Sequence, residues 1–145
     1  MKLVLQRVQE ASVTVDKTVV GAIGRGWLIL VGFAPDDTEA MITKSVAKVL
    51  DLRAFSDTDG KMNLSLRDIA GEVLVVSQFT LYGDCSKGRR PSFGVAASPD
   101  LAKSLYNSMI SVFESEIPGL VQTGAFGANM QVSLVNDGPV TFVLE

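Results

Sequence analysis

Apolar and polar positions alternate from the first residues of this chain, interrupted by short polar or glycine steps. That period of two predicts strands at Met1–Val8, Ala11–Val15 and Thr18–Ile23. Gly24-Arg25-Gly26 then reads as a turn, and Trp27–Phe33 as a buried strand. The connections are too short for parallel crossovers, so antiparallel hairpins are expected.

The period changes after Pro35. A helix is predicted over Asp37–Leu50, with Asp36 and Glu39 at capping-box spacing and Ile42, Val46, Val49 and Leu50 on one stripe. Arg53–Phe55 suggests a short strand before a Ser56–Lys61 turn. Val73–Phe79 is almost continuously apolar, the pattern of a strand at the centre of a sheet. The second helix carries more signals: Ser98 as N-cap, Pro99 in the first position, Asp100 in the first turn. Ala102, Leu105, Tyr106, Met109 and Phe113 give it one apolar face, and it must end before Pro118-Gly119. Met130–Val135 and Val140–Leu144 finish as strands joined through Asn136–Pro139. The fold class is therefore α/β: mixed, mostly antiparallel sheets in a split-barrel-like, β-β-α layered arrangement, covered by two helices in a single domain over 1–145.

Composition sharpens the chemistry more than the fold. The chain has 145 residues, 47% of them hydrophobic and 20% charged, as expected of an ordered globular domain with its own core. No apolar run approaches a membrane span. The N-terminus alternates like a strand, unlike a signal peptide, and the lone Cys85 suits a reducing cytoplasm. Histidine is absent. That excludes a Ser-His-Asp triad, Cys-His catalysis and His-containing zinc sites, and it removes the commonest general base near neutral pH. Net charge is −3, so a polyanion would need a local patch. Lys87-Gly88-Arg89-Arg90-Pro91 is the one concentrated cationic stretch, either a solvated loop or a phosphate-contacting one.

Three further places could carry chemistry. Ser77-Gln78-Phe79-Thr80 closes a buried strand and offers two hydroxyls, an amide and successive backbone N–H groups. That inventory suits an oxyanion hole or ribose binding, or merely satisfies a turn. Thr80 is a weak nucleophile because no histidine, and no lysine close in sequence, offers a base. Gly138-Pro139 fits a plain trans turn, or a cis bond that would confront a ligand with rigid backbone carbonyls. Arg7 lies on an otherwise apolar strand. It either finds backbone carbonyls or snorkels to solvent. Phe126 and Met130 read as core, or as the lining of a pocket beside the last hairpin. Cys85 reads as incidental, and Gly124 and Gly127 as loop punctuation.

Together these segments resemble the D-aminoacyl-tRNA deacylase family, the D-tyrosyl-tRNA deacylase type. The likeness runs from Gln6-Arg7-Val8 and Ala11-Ser12-Val13 through Phe55-Ser56-Asp57, Lys61-Met62-Asn63-Leu64 and Ser77-Gln78-Phe79-Thr80. It continues through Arg90-Pro91-Ser92-Phe93 and Ser98-Pro99 to Met130-Gln131-Val132 and Asn136-Asp137-Gly138-Pro139-Val140-Thr141. No signature position departs from the family pattern. The resemblance implies a homodimer with active sites at the interface. It implies hydrolysis of the ester joining a D-amino acid to the 3′-terminal adenosine of tRNA; glycyl-tRNA is also expected as a substrate, because glycine has no side chain to clash. It places Ser77, Gln78, Phe79 and Thr80 at the scissile carbonyl and makes Gly138-Pro139 a cis-proline chiral filter, inserted from the partner and held by Arg7. Phe126 and Met130 would stand near the adenosine, and Lys87, Arg89 and Arg90 would contact tRNA. No metal and no cofactor are implied, because the substrate's own 2′-OH is thought to assist.

The residues also admit two rival expectations. One is a non-catalytic, dimeric nucleic-acid binding module using the Lys87–Arg90 loop. The other is an esterase acting on small D-configured esters without RNA.

Overall fold

A computed structural model describes residues 1–145. In chain order the elements are β1 (Lys2–Val15), β2 (Thr18–Ile23), β3 (Gly26–Gly32), α1 (Glu39–Asp51), β4 (Phe55–Ser56), β5 (Met62–Leu64) and β6 (Glu72–Ser77). A 3₁₀ turn at Phe79–Tyr82 follows, then α2 (Pro99–Glu116), β7 (Val121–Thr123) and β8 (Gln131–Leu144).

The alternation alone predicts two strands at the start and two at the end, but each pair is one continuous strand. β1 passes through Gln9 and Glu10 because both its edges are paired. β8 runs antiparallel along one edge, from Leu3 opposite Leu144 to Thr14 opposite Gln131. Opposite β8, β3 takes Lys2–Val8 and β2 takes Ala11–Val15, also antiparallel. The final segments therefore form no hairpin with each other: both pair with β1, and Asn136–Pro139 lies inside β8. The ladder is irregular between Gln6 and Glu10. There the Asn136 side-chain amide donates to the carbonyls of Arg7 (2.9 Å) and Val140 (3.1 Å). A polar side chain thus takes over the carbonyls where the ladder falters.

That irregularity also switches faces. Leu3 and Leu5 pack in the large core, whereas Ala11 and Val13, at the same parity, pack in a second core with Val8. One extra residue between Val8 and Ala11 reverses the alternation, as a β-bulge does.

β3, β6 and β7 are parallel neighbours, linked by two crossovers that contain α1 and α2. Both faces of β3 and β6 are buried. Trp27, Ile29, Val73 and Val75 meet the helices, while Leu28, Leu74 and Val76 point into the barrel-like interior with Met130, Val132 and Leu134. Near-continuous apolar strands are the consequence of that double burial. The result is a single α/β domain with a nearly closed, barrel-like sheet and a small β4–β5 sheet. β7 escapes sequence reasoning because it is only three residues long. No helix is long and apolar enough to cross a membrane.

Two local expectations need correction. The strand predicted over Val73–Phe79 stops at Ser77, where its partner β3 is also ending, and the chain turns at Gln78. Phe79 is consequently 57% exposed. The Asp36–Glu39 capping box does not form. Thr38 caps α1 instead, its hydroxyl accepting from Met41 N–H. Asp37 is occupied by the Met1 ammonium (2.6 Å) and the Ala34 N–H (2.7 Å), and Glu39 accepts from the Ser108 hydroxyl (3.2 Å). α2 keeps its expected cap, with the Ser98 hydroxyl accepting from Leu101 N–H.

Candidate active site

The end of β6 delivers Ser77 into a cleft of about 570 Å³. Its floor is Val31–Phe33 and Val76–Phe79. One wall is Phe126–Ala128 with Met130, and the opposite wall includes Phe93, Ala97 and Pro99. Most of this lining is apolar, with Ser77 and Gln78 as its polar side chains, the composition usual for a small-molecule site.

The turn after Ser77 is built to present backbone. Gln78 N–H donates back to the Val31 carbonyl (2.7 Å), which fixes where the strand ends. Leu81 N–H donates to the Gln78 carbonyl (3.2 Å) and Gly83 N–H to the Thr80 carbonyl (2.9 Å). The intervening Phe79 and Thr80 N–H groups donate to nothing in the chain. Two successive free donors at the head of a turn can receive a developing oxyanion. The Gln78 side-chain amide donates to the Thr80 hydroxyl, so that oxygen already serves as an acceptor.

The Phe126–Met130 wall is equally supported. The Tyr106 hydroxyl donates to the Val75 carbonyl (2.7 Å), and Gly124 N–H donates to the same carbonyl (3.1 Å). The Tyr106 ring lies 5.6 Å from that of Phe126. Burial pushes the Tyr106 hydroxyl up to about 12, so it stays a neutral donor. Gly124 is more than punctuation: a Cβ there would stand 2.6 Å from the Met130 sulfur. Nothing in the helical spacing separates Tyr106 from its apolar neighbours. The only hint is a hydroxyl on a core-facing position, which needs a partner.

The structure thus brings Ser77, Gln78 and Phe79 together with Phe126 and Met130, and Thr80 follows immediately. It leaves Arg7, Gly138 and Pro139 outside this cleft. Arg7 is 8% exposed. Its guanidinium donates to the carbonyls of Ala54 (2.7 Å) and Asp137 (3.0 Å) and lies 3.4 Å from the Asp137 carboxylate. Asn136 and Arg7 therefore hold the segment that leads into Gly138–Pro139 from two sides. The Gly138–Pro139 peptide is cis.

Lys87, Arg89 and Arg90 are exposed on a loop closed at its base by mutual backbone bonds between Asp84 and Ser92 (2.7 and 3.0 Å). Hydrogen bonds from the Ser86 side chain and backbone hold the Asp84 carboxyl below its ordinary range. The loop re-enters the cleft wall at Phe93, whose ring meets that of Phe79 edge-on, centroids 5.0 Å apart. No three Cys, Asp or Glu side chains gather as they would to hold a metal ion.

Comparison with known proteins bears on this arrangement. The structure of a c-Myc DNA unwinding element binding protein is 44% identical and covers 100% of this chain and 98% of that one, with a TM-score of 0.95. A probable eukaryotic D-amino acid tRNA deacylase is 20% identical over 99% of this chain and 97% of that one, with a TM-score of 0.83, a likeness of fold. The family model for D-Tyr-tRNA(Tyr) deacylase matches residues 4–145. The chain belongs to the D-Tyr-tRNA(Tyr) deacylase family.

Proposed function

We propose that this protein hydrolyses the ester of D-aminoacyl-tRNA, releasing free D-amino acid and tRNA, and spares the L-form. The observation that carries the reading is the pair of unpaired Phe79 and Thr80 N–H groups at an apolar cleft, in a family member without histidine. The terminal adenosine lies between Phe126 and Met130, and the scissile carbonyl oxygen turns toward Phe79 and Thr80. Water adds to that carbonyl, the bond to the ribose oxygen breaks, and the leaving 3′ oxygen takes a proton. The substrate's 2′-OH assists the transfer, which fits a site where Thr80 has no base beside it. An aminoacyl ester is already activated, so positioning and oxyanion stabilisation suffice.

Discrimination belongs to backbone. In a homodimer, Gly138–Pro139 of one subunit reaches the cleft of the other, its position set by Arg7 and Asn136. It tests the substituents at Cα by direction and excludes the L-form by clash, so one site accepts many D-side chains. Glycyl-tRNA, with no side chain to clash, is accepted as well. Lys87, Arg89 and Arg90 contact tRNA phosphates. The exposed single Cys85 suits a cytoplasmic setting.

Deacylation of matched D-tyrosyl-, L-tyrosyl- and glycyl-tRNA tests this reading. Rapid release from the D- and glycyl-forms with the L-form intact is expected. Equal rates on the D- and L-forms, or none on either, would overturn it.

A second reading has one specific support, the relative at 44% identity that is named for binding a DNA unwinding element. On that reading the cationic loop holds nucleic acid and the cleft performs no hydrolysis. Retention of charged tRNA with no release of D-amino acid would favour it.

A further inference from the structure

We infer that Phe93 and the Lys87–Arg90 loop form a second binding site for the RNA substrate. In it the Phe93 ring stacks on the base of the nucleotide preceding the terminal adenosine, and the loop holds the adjoining phosphates. The inference rests on the deacylase reading above and extends it from the terminal adenosine to the strand that carries it.

Phe93 is a large aromatic side chain that the core does not absorb. It remains 36% exposed at the cleft wall, and Val95 beyond it is 60% exposed. Its position is nonetheless fixed. The backbone is pinned just before it by the paired Asp84 and Ser92 groups and just after it by Ala96 N–H donating to the Phe93 carbonyl (3.1 Å). The ring meets Phe79 at 62°. It also rests against Gly83, where an added Cβ would stand 3.1 Å from Phe93 Cε1 and 3.0 Å from the Thr80 oxygen. Gly83 has an ordinary φ of −66°, so what favours glycine there is the close approach of the Thr80 carbonyl and the seated Phe93 ring. A preorganised, partly exposed aromatic ring is a stacking surface with little left to order on binding.

The charge beside it selects the occupant. The whole chain carries −3, yet the loop that ends at Phe93 places Lys87, Arg89 and Arg90 in four consecutive positions with Gly88 at φ +67°. Cations interleaved with an exposed aromatic ring suit an unpaired nucleic-acid strand, whose phosphates meet the charges and whose bases meet the ring. The occupant is the unpaired 3′ strand of the tRNA, because the adenosine at its end enters the same cleft.

The test compares D-tyrosyl-adenosine with D-tyrosyl-cytidylyl-cytidylyl-adenosine. In Phe93→Leu, the ratio of kcat/KM on the trinucleotide to that on the nucleoside should fall about tenfold, through KM, within the range of one lost base stack. Phe93→Tyr should restore the ratio. An unchanged ratio in Phe93→Leu would overturn the inference. A binding arm stands apart from catalysis: fluorescence anisotropy with labelled, uncharged cytidylyl-cytidylyl-adenosine. Phe93→Leu should weaken that binding about tenfold even if no ester is hydrolysed. Undiminished affinity, or tighter binding of the deoxy trinucleotide, would remove the RNA assignment.

Discussion

The Tyr106 hydroxyl donates to the Val75 carbonyl at 2.7 Å, two residues before Ser77. Because Gly124 N–H shares that carbonyl and the Tyr106 ring leans on Phe126, one side chain of α2 positions the floor strand and one wall of the cleft. Tyr106→Phe keeps the ring and removes only the donor. Val75 retains its bond from Gly124, so no carbonyl is orphaned and the stability cost is about 1 kcal/mol. The expected kinetic effect is a raised KM with a smaller change in kcat, read by steady-state deacylation. A fall in kcat at constant KM would contradict this positioning role.

The two tyrosines also predict an alkaline limit. Burial pushes both Tyr106 and Tyr82 up to about 12, and at Tyr82 the carboxylates of Asp37, Asp36 and Glu145 add to it. In the unfolded chain these hydroxyls ionise near 10. As pH rises, the unfolded state releases its protons first, so stability is fully present below about pH 10 and declines between about 10 and 12. Alkaline unfolding followed by tyrosinate absorbance checks this. Ionisation of both tyrosines in the folded protein near pH 10 would refute it.

Thr80→Ala should retain activity within about tenfold of the parent protein, whereas a lost catalytic nucleophile costs several orders of magnitude. The Thr80 hydroxyl accepts from the Gln78 amide and has no base beside it, while the Thr80 N–H, its proposed contribution, survives the substitution. Removing the terminal 2′-OH of the tRNA should abolish turnover. Mass spectrometry that traps an aminoacyl-Thr80 intermediate would defeat the mechanism.

What was legible in the sequence follows from how local each signal is. α2 carries its own cap, first-turn proline and apolar stripe, and these are enough. The N-cap of α1 was not legible: Asp36 has the spacing of a cap to Glu39, yet Thr38 caps the helix and Glu39 turns to Ser108, a partner only the fold brings near. β1 and β8 each read as two strands because Gln9-Glu10 and Asn136–Pro139 look like turns in isolation. Pairing on either side keeps each strand continuous, with Asn136 opposite Val8 and Val135 opposite Glu10, while Asp137–Val140 have no partner in that ladder. Phe79 continues an apolar run and so reads as strand, although its ring leaves the core where β3 ends. At the site, Ser77–Thr80 was legible as a polar break in a buried strand. The support from Tyr106 and the seat that Gly83 makes for Phe93 were not, since each depends on contacts between segments distant in sequence or across a loop.

Arg89→Ala combined with Arg90→Ala should weaken tRNA binding and flatten its salt dependence. If both side chains neutralise phosphates, the slope of log K against log salt should fall in magnitude by about 1–2. Both are exposed beyond the Asp84–Ser92 pair, so the fold should be undisturbed. Titrations of full-length tRNA at several salt concentrations measure the slope. An unchanged slope would make the loop a solvated surface.

Arg7 joins fold to discrimination. Its guanidinium spans the Ala54 and Asp137 carbonyls, and Ala54 is 2% exposed. Arg7→Ala leaves that buried carbonyl without its donor, a cost of about 1–3 kcal/mol. Arg7→Lys keeps the charge, but a single ammonium cannot reproduce two donors held in a planar fork. Both variants should therefore lose the restraint on the segment leading into Gly138. If that segment tests chirality, the ratio of D- to L-tyrosyl-tRNA hydrolysis should fall about tenfold, equivalent to about 1.4 kcal/mol of lost discrimination. Denaturant unfolding and paired deacylation assays on both variants separate the two effects. Lower stability with an undiminished D-to-L ratio would show that Arg7 serves the fold alone.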